Sequence, residues 1–182
     1  MAITKLDLTK AVSGTLPADN YTAKTGSVIQ VVTNSDDTLS NYSLNNTFSQ
    51  VTGLNTSITP SSTSSKILVL VSMYVCPDAT TSPYIGMRLT RGGSVITDSY
   101  GKASGSRVRQ TFSALIAQDS NSAGLTVSHN FVDSPATTSA TTYGIQVKGF
   151  SSRTFNVNYS GASDANVGQT TRSTMTLMEI VG

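Results

Sequence analysis

Few residues in this chain could do chemistry. It has one histidine, His129, and Asp133 follows four residues later, so on an extended strand the two share a face. Serines are abundant, yet a Ser-His-Asp arrangement needs a nucleophile held on an ordered turn, and no G-x-S-x-G elbow occurs. His129 therefore reads as a strand-surface or interface histidine. Zinc would want clustered His and Cys, whereas His129 and the single cysteine, Cys76, stand far apart. Cys76 has no partner for an internal disulfide and reads as a small buried thiol. Asp36-Asp37 and Asp133 are the calcium candidates, and neither lies in a loop with ligand spacing. Glu179 is a carboxylate inside an apolar run; it reads as a strand-end or edge residue, with pairing to Arg88 or Arg172 as the alternative. Paired carboxylates in a groove, as glycoside hydrolysis requires, are not visible. These residues point away from an enzyme and imply no cofactor and no metal.

Charge narrows the partners. Only 12% of the 182 residues are charged and the net charge is +2. The densest basic groups are Lys102 with Arg107 and Arg109, and Arg88 with Arg91. No aromatic residues are interleaved among them in the sequence, which argues against nucleic acid as a partner. No apolar run reaches membrane-spanning length, so no membrane insertion is expected. The opening MAITKLDLTK lacks a hydrophobic signal core, and the chain reads as one made in a cytoplasm.

The elements that must position these residues are strands. Ser and Thr make up about 30% of the chain, with Gly, Asn and Val also common, which favours strands joined by tight turns. The stretch 56–75, TSITPSSTSSKILVLVSMYV, organises the rest. One face of its long run carries Ile67, Val69, Val71, Met73 and Val75; the other carries Leu68, Leu70, Ser72 and Tyr74. A strand with one wet face alternates apolar with polar; here both faces are largely apolar, so both are covered, one by the domain core.

Further strands are expected at 27–32, 47–51, 55–59, 84–91, 94–100, 108–117, 125–132, 143–150, 153–159 and 172–181, with a polar loop over 33–46. Gly92-Gly93 and Ser151-Ser152 read as hairpin turns. About eight to ten short strands at this spacing predict a two-sheet sandwich or barrel. Residues 1–25 are too sparse in apolar side chains for a core of their own and read as an attachment arm, with residues 26–182 as the β domain.

Three strings carry a resemblance: TGL followed by SITPSSTSSKILV from Thr52 to Val69, DSPATTSATTY from Asp133, and STMTLMEI from Ser173. With the opening TKAVSGTLP from Thr9, they resemble a family of tailed-phage virion proteins met in cyanophages and other marine phages and described as tail-fibre-like or structural. The resemblance implies a homotrimer of jelly-roll domains similar in plan to the C1q and tumour-necrosis-factor heads, assembled in the host cytoplasm and resident in the virion. It implies that the arm, through Ile3, Leu6, Leu8, Val12, Leu16 and Pro17, docks on other phage virion proteins, either the tail and baseplate or the major capsid protein. Ile67, Leu68, Val69, Leu70, Val71, Met73, Leu177 and Ile180 would then form the trimer interface or the core. Tyr84, Tyr100, Lys102, Asn121, Asp164 and Asn166 lie in loops that would face the host and its surface glycans. No internal repeat is present, which favours a short fibre or knob over a long fibre. Host adsorption from the tail and decoration of the capsid both remain open, and a secreted C1q-like lectin is disfavoured by the missing signal peptide.

Overall fold

The computed structural model describes residues 22–44, 46–77, 84–116, 121–149, 153–163 and 165–182. The arm residues Ile3, Leu6, Leu8, Val12, Leu16 and Pro17, and the loop residue Asp164, lie outside the described residues. In chain order the strands are β1 (Val28–Asp36), β2 (Ser40–Leu44), β3 (Ser49–Gln50), β4 (Thr56–Ile58), β5 (Lys66–Pro77), β6 (Tyr84–Arg91), β7 (Ser94–Val95), β8 (Phe112–Leu115), β9 (Leu125–Asp133), β10 (Thr141–Gly149), β11 (Arg153–Val157) and β12 (Ser173–Ile180).

They form two antiparallel sheets. In the first, β5 is flanked on one side by β9 and on the other by β12 and β11 in succession, with β1 outside β12 and β2 outside β11. In the second, β10 is flanked by β3 and β4 on one side and β6 on the other, and β7 and β8 share the far edge of β6. When each split strand is taken as one, the first sheet runs first-eighth-third-sixth and the second runs second-seventh-fourth-fifth. That order is a jelly roll, two interlocked Greek keys closed face to face.

The core lies between the sheets and settles which face of β5 is which. Ile67, Val69, Val71, Met73 and Val75 are buried there with Met87, Leu89, Tyr143, Ile145, Phe155, Met175 and Leu177. Each such side chain stabilises the fold by about 1.5–3 kcal/mol. Leu68, Leu70 and Ser72 point the other way and are only half-buried. Leu177 is therefore core, whereas Ile180 lies on the outer face with Leu68 and Leu70.

Four expectations change. Residues 33–46 are not a loop, because β1 runs on to Asp36 and β2 occupies Ser40–Leu44. Both lie at the rim of the first sheet, where little of the strand is covered, so no apolar run marks them. No hairpin joins β10 to β11: β10 belongs to the second sheet and β11 to the first, so the chain crosses between sheets there. The strand expected at 94–100 ends at Val95, and a 3-10 turn follows over Thr97–Ser99. The strand expected at 108–117 shrinks to Phe112–Leu115, because the chain between β7 and β8 leaves the edge of β6 and closes on itself where Gly101 N–H donates to the Gln110 carbonyl at 3.2 Å.

A second excursion interrupts the eighth strand. The chain leaves the first sheet after Val157 and rejoins it at Ser173. Asn158, at φ 69°, makes the exit. Its amide donates to the Asp36 and Thr38 carbonyls, each at 3.0 Å, and its Oδ1 accepts from Ser173 Oγ at 2.5 Å. Asp36 in turn leans on Gly53, at φ +90°, where a Cβ would come 2.5 Å from the Asp36 carboxyl carbon. Only glycine satisfies both the turn and the close approach.

The register defines two ends of the sandwich. Pro77, Tyr84, Leu115, Leu125 and Gly149 lie at one, and Val28, Ile58, Lys66, Arg91, Asp133 and Ile180 at the other. The first described strand thus begins at the end opposite Tyr84 and Leu125.

Candidate functional site

At the Val28 end two buried carboxylates tie the fold together. Glu179, 1% exposed, accepts at Oε1 from Ser61 N–H and Ser61 Oγ, both at 2.6 Å, and from Ser65 Oγ at 2.7 Å. Burial pushes this carboxyl up, but the hydrogen bonds from Ser61 and Ser65 outweigh it and hold the group below its ordinary value. The serine run of the 56–75 stretch is therefore a clasp closed on a carboxylate of the last strand. Neither Arg88 nor Arg172 pairs with Glu179; Arg172 bridges to Asp37, and the Arg88 guanidinium lies on the Phe48 ring.

Asp133 is the second. It accepts from Arg91 Nη1 at 2.8 and 2.7 Å and from the Tyr143 hydroxyl at 2.6 Å, linking β9 of the first sheet to β6 and β10 of the second. Burial, reinforced by the bond to Asp133, pushes the Tyr143 hydroxyl far above its ordinary value. His129 does share the inward face with Asp133, but its ring stacks on Phe112 with centroids 4.9 Å apart, and burial lowers its pKa. No hydrogen bond joins His129 to Asp133, whose oxygens are committed elsewhere, so the pair forms no proton relay. Among the described residues, no three His, Cys, Asp or Glu side chains gather to hold a metal ion.

The outer face of the first sheet is apolar toward this same end. One row across it runs Val31, Met178, Leu68, Val132, and the next begins Thr33, Thr176, Leu70, Asn130. Val31 is 55% exposed and Val132 48%, with Val28 and Ile29 exposed beside them. Toward the opposite end the face turns polar, with Ser35, Thr174, Ser72 and Ser128 in a row. Val31, Val132 and Met178 were not singled out from the sequence, because each lies on a strand whose outward residues are otherwise mostly polar.

The predicted loop residues fall into two groups. Asn121 and Asn166 belong together: the Asn121 carbonyl accepts from Ala162 N–H at 3.1 Å, and Asn166 is exposed on the same excursion, residues 158–172. A cleft of 370 Å³ lies there, lined by Leu39, Tyr159 and residues 160–163 among others. Tyr84, Tyr100 and Lys102 form the other group, on the side of the second sheet. There the tertiary structure interleaves aromatics with the basic residues, bringing Phe48 and Lys148 to Arg88, Tyr100 and Arg109.

No protein-family model matches the chain, and no curated protein is similar to it in sequence. Among solved structures it is similar to infectious bursal disease virus, Gt strain, at 11% identity and a TM-score of 0.43, over 94% of this chain and 43% of that one. A mutant VP2 protein of the same virus, in derived T=1 particles, matches at 11% identity and a TM-score of 0.39, over 84% of this chain and 36% of that one. The Gx strain matches at 12% identity and a TM-score of 0.35, over 93% and 47%. The chain thus spans less than half the length of each.

Proposed function

We propose that this protein is a virion structural component, a short trimeric knob of the tail-fibre adsorption apparatus that docks through its N-terminal arm. The outer face of the first sheet carries this reading. A monomer would leave the row Val31, Met178, Leu68, Val132 facing water, with Val28 and Ile29 beside it. Covering such half-exposed aliphatic side chains in a dry contact is worth about 1 kcal/mol each, and a threefold contact covers all copies alike. The resemblance to phage fibre proteins supports the same arrangement. So does the layout of the ends: β1 begins at the end away from Tyr84 and Leu125, which leaves those termini free to face outward.

The test is the solution mass of the full chain by light scattering at micromolar concentration. The expected value is three times the 19.0 kDa of one chain. A single-chain mass would refute the trimer. Immunogold labelling of particles tests the docking site: label at the tail is expected, and label over the head shell would replace this reading with capsid decoration.

A further inference from the structure

The outer face of the second sheet carries features that neither the core nor the trimer reading uses. Arg88 projects from β6 with its Cζ 3.7 Å above the Phe48 ring and 5.1 Å from that of Tyr100. The Arg109 guanidinium lies 5.4 Å from Tyr100, and Lys148 Nζ lies 5.4 Å from Phe48. Backbone carbonyls aim both guanidinium groups. Arg88 Nε and Nη2 donate to the Arg109 carbonyl at 3.2 and 3.0 Å, and Arg109 Nε donates to the Gly101 carbonyl at 2.9 Å. Arg88 Nη1 and both Nη groups of Arg109 have no acceptor among the described residues. Lys102 and Arg107 stand exposed on the same excursion.

Two further observations mark this surface as a place for a polar ligand. Gln110 lies across Gly86, where a Cβ would come 2.1 Å from its Oε1, so glycine is what lets the amide settle on the sheet. That Oε1 and the Tyr100 hydroxyl are both buried without a hydrogen-bond partner, an arrangement folded proteins rarely keep without cause. Beside them lies a hollow of 510 Å³ lined by Tyr84, Ser106, Arg107, Val108 and Gln110, a volume suited to a small ligand. The carboxylates of Asp36, Asp37, Asp133 and Glu179 are all engaged elsewhere. Asp98, on the turn Thr97–Ser99, is the one described carboxylate in this stretch of chain.

We infer that Arg88, Arg109, Tyr100, Gln110 and Tyr84 form a binding site for an acidic saccharide. The guanidinium groups take its carboxylate, sulfate or phosphate, the Tyr100 ring holds both guanidinium groups in place, and Tyr84, beside Gln110 in the wall of the hollow, offers a ring to its C–H face. Nucleic acid fits less well. The Phe48 ring is already covered by Arg88, which closes a face that a base would stack on. The inference rests on the reading of the protein as an external virion component only for who presents the saccharide, since every residue of the site comes from one chain.

The full chain should be titrated calorimetrically with oligogalacturonate, with neutral dextran oligosaccharide, and with single-stranded DNA of matched charge, at low and physiological salt. Oligogalacturonate is expected to bind, more weakly as salt rises, and dextran not to bind. Arg109→Gln, at an exposed position, should weaken binding about tenfold or more. Tyr100→Leu removes the ring beside both guanidinium groups and should weaken it by a smaller factor. Circular dichroism of each variant verifies that the fold is intact. Equal binding to dextran, tighter binding to DNA, an unchanged affinity in Arg109→Gln, or no binding to oligogalacturonate would each overturn the site. The outcome separates from the trimer reading: a trimer without binding refutes the site alone, and a binding monomer refutes the trimer alone.

Discussion

Replacing Glu179 with glutamine isolates the charge on which the serine clasp closes. Three hydrogen bonds of 2.6–2.7 Å converge on one oxygen. A bond to a charged acceptor is worth about 1.5–3 kcal/mol against about 0.5–1.5 for a neutral one, so each loses about 1 kcal/mol. Part of that loss is recovered because a buried amide costs less to desolvate than a buried carboxylate. The net expectation is a loss of about 2 kcal/mol at neutral pH, or about 4–8 °C in Tm for a domain of this size. The pH profile makes the test specific. The Glu179 carboxyl titrates lower in the fold than in the unfolded chain. Its contribution is therefore complete above the unfolded value, about pH 4.3, and drains away as pH falls through the folded value. Urea denaturation of both proteins, at one protomer concentration from pH 7 to pH 3, should show the gap narrowing toward zero on acidification. A gap that is absent at pH 7, or constant down to pH 3, would refute the clasp.

Other consequences follow from the same geometry. Arg91→Met leaves Asp133 buried and unpaired on its arginine side and should cost about 1.5–3 kcal/mol by urea denaturation; adding Asp133→Asn, which removes the charge and keeps an acceptor for the Tyr143 hydroxyl, should restore part of it, and strict additivity would contradict a shared interaction. Gly53→Ala meets both a positive φ and the Asp36 carboxyl, and should lower Tm by several degrees, whereas an unchanged Tm would show that Asp36 yields freely. Val31→Asp puts a charge on the outer face of the first sheet, so light scattering should find monomers while circular dichroism remains that of the folded chain.

The jelly roll was legible where side-chain periodicity carries it. β6 was expected at its observed bounds, and the Gly92-Gly93 turn has the positive φ angles its residues suggest, 57° and 78°. Rim strands were less legible. β1 past Val32, and all of β2, present mostly polar side chains because water covers them, so they look like loop in the sequence. The β10–β11 connection differs from the expected hairpin because adjacency in the chain favours a hairpin, and the alternation of β10 does not name its partner.

What the sequence determined by itself is local in origin. Alternation of β-branched and polar residues makes strands, and glycine pairs make turns. Both faces of Lys66–Pro77 read as covered, and the fold supplies the inner covering. Tertiary structure decided what depends on distance along the chain. Ser61 and Glu179 are 118 residues apart, and Arg91 and Asp133 are 42 apart, so no window of sequence displays either contact. Sheet order likewise turned Ile67, Val69, Val71 and Met73 into core and left Leu68 and Leu70 on the outer face. It also gathered Phe48, Arg88, Tyr100, Arg109 and Lys148 onto one surface. The physical reason is that strand pairing brings together residues from remote segments, and nothing in a single strand's pattern records which segment it will meet.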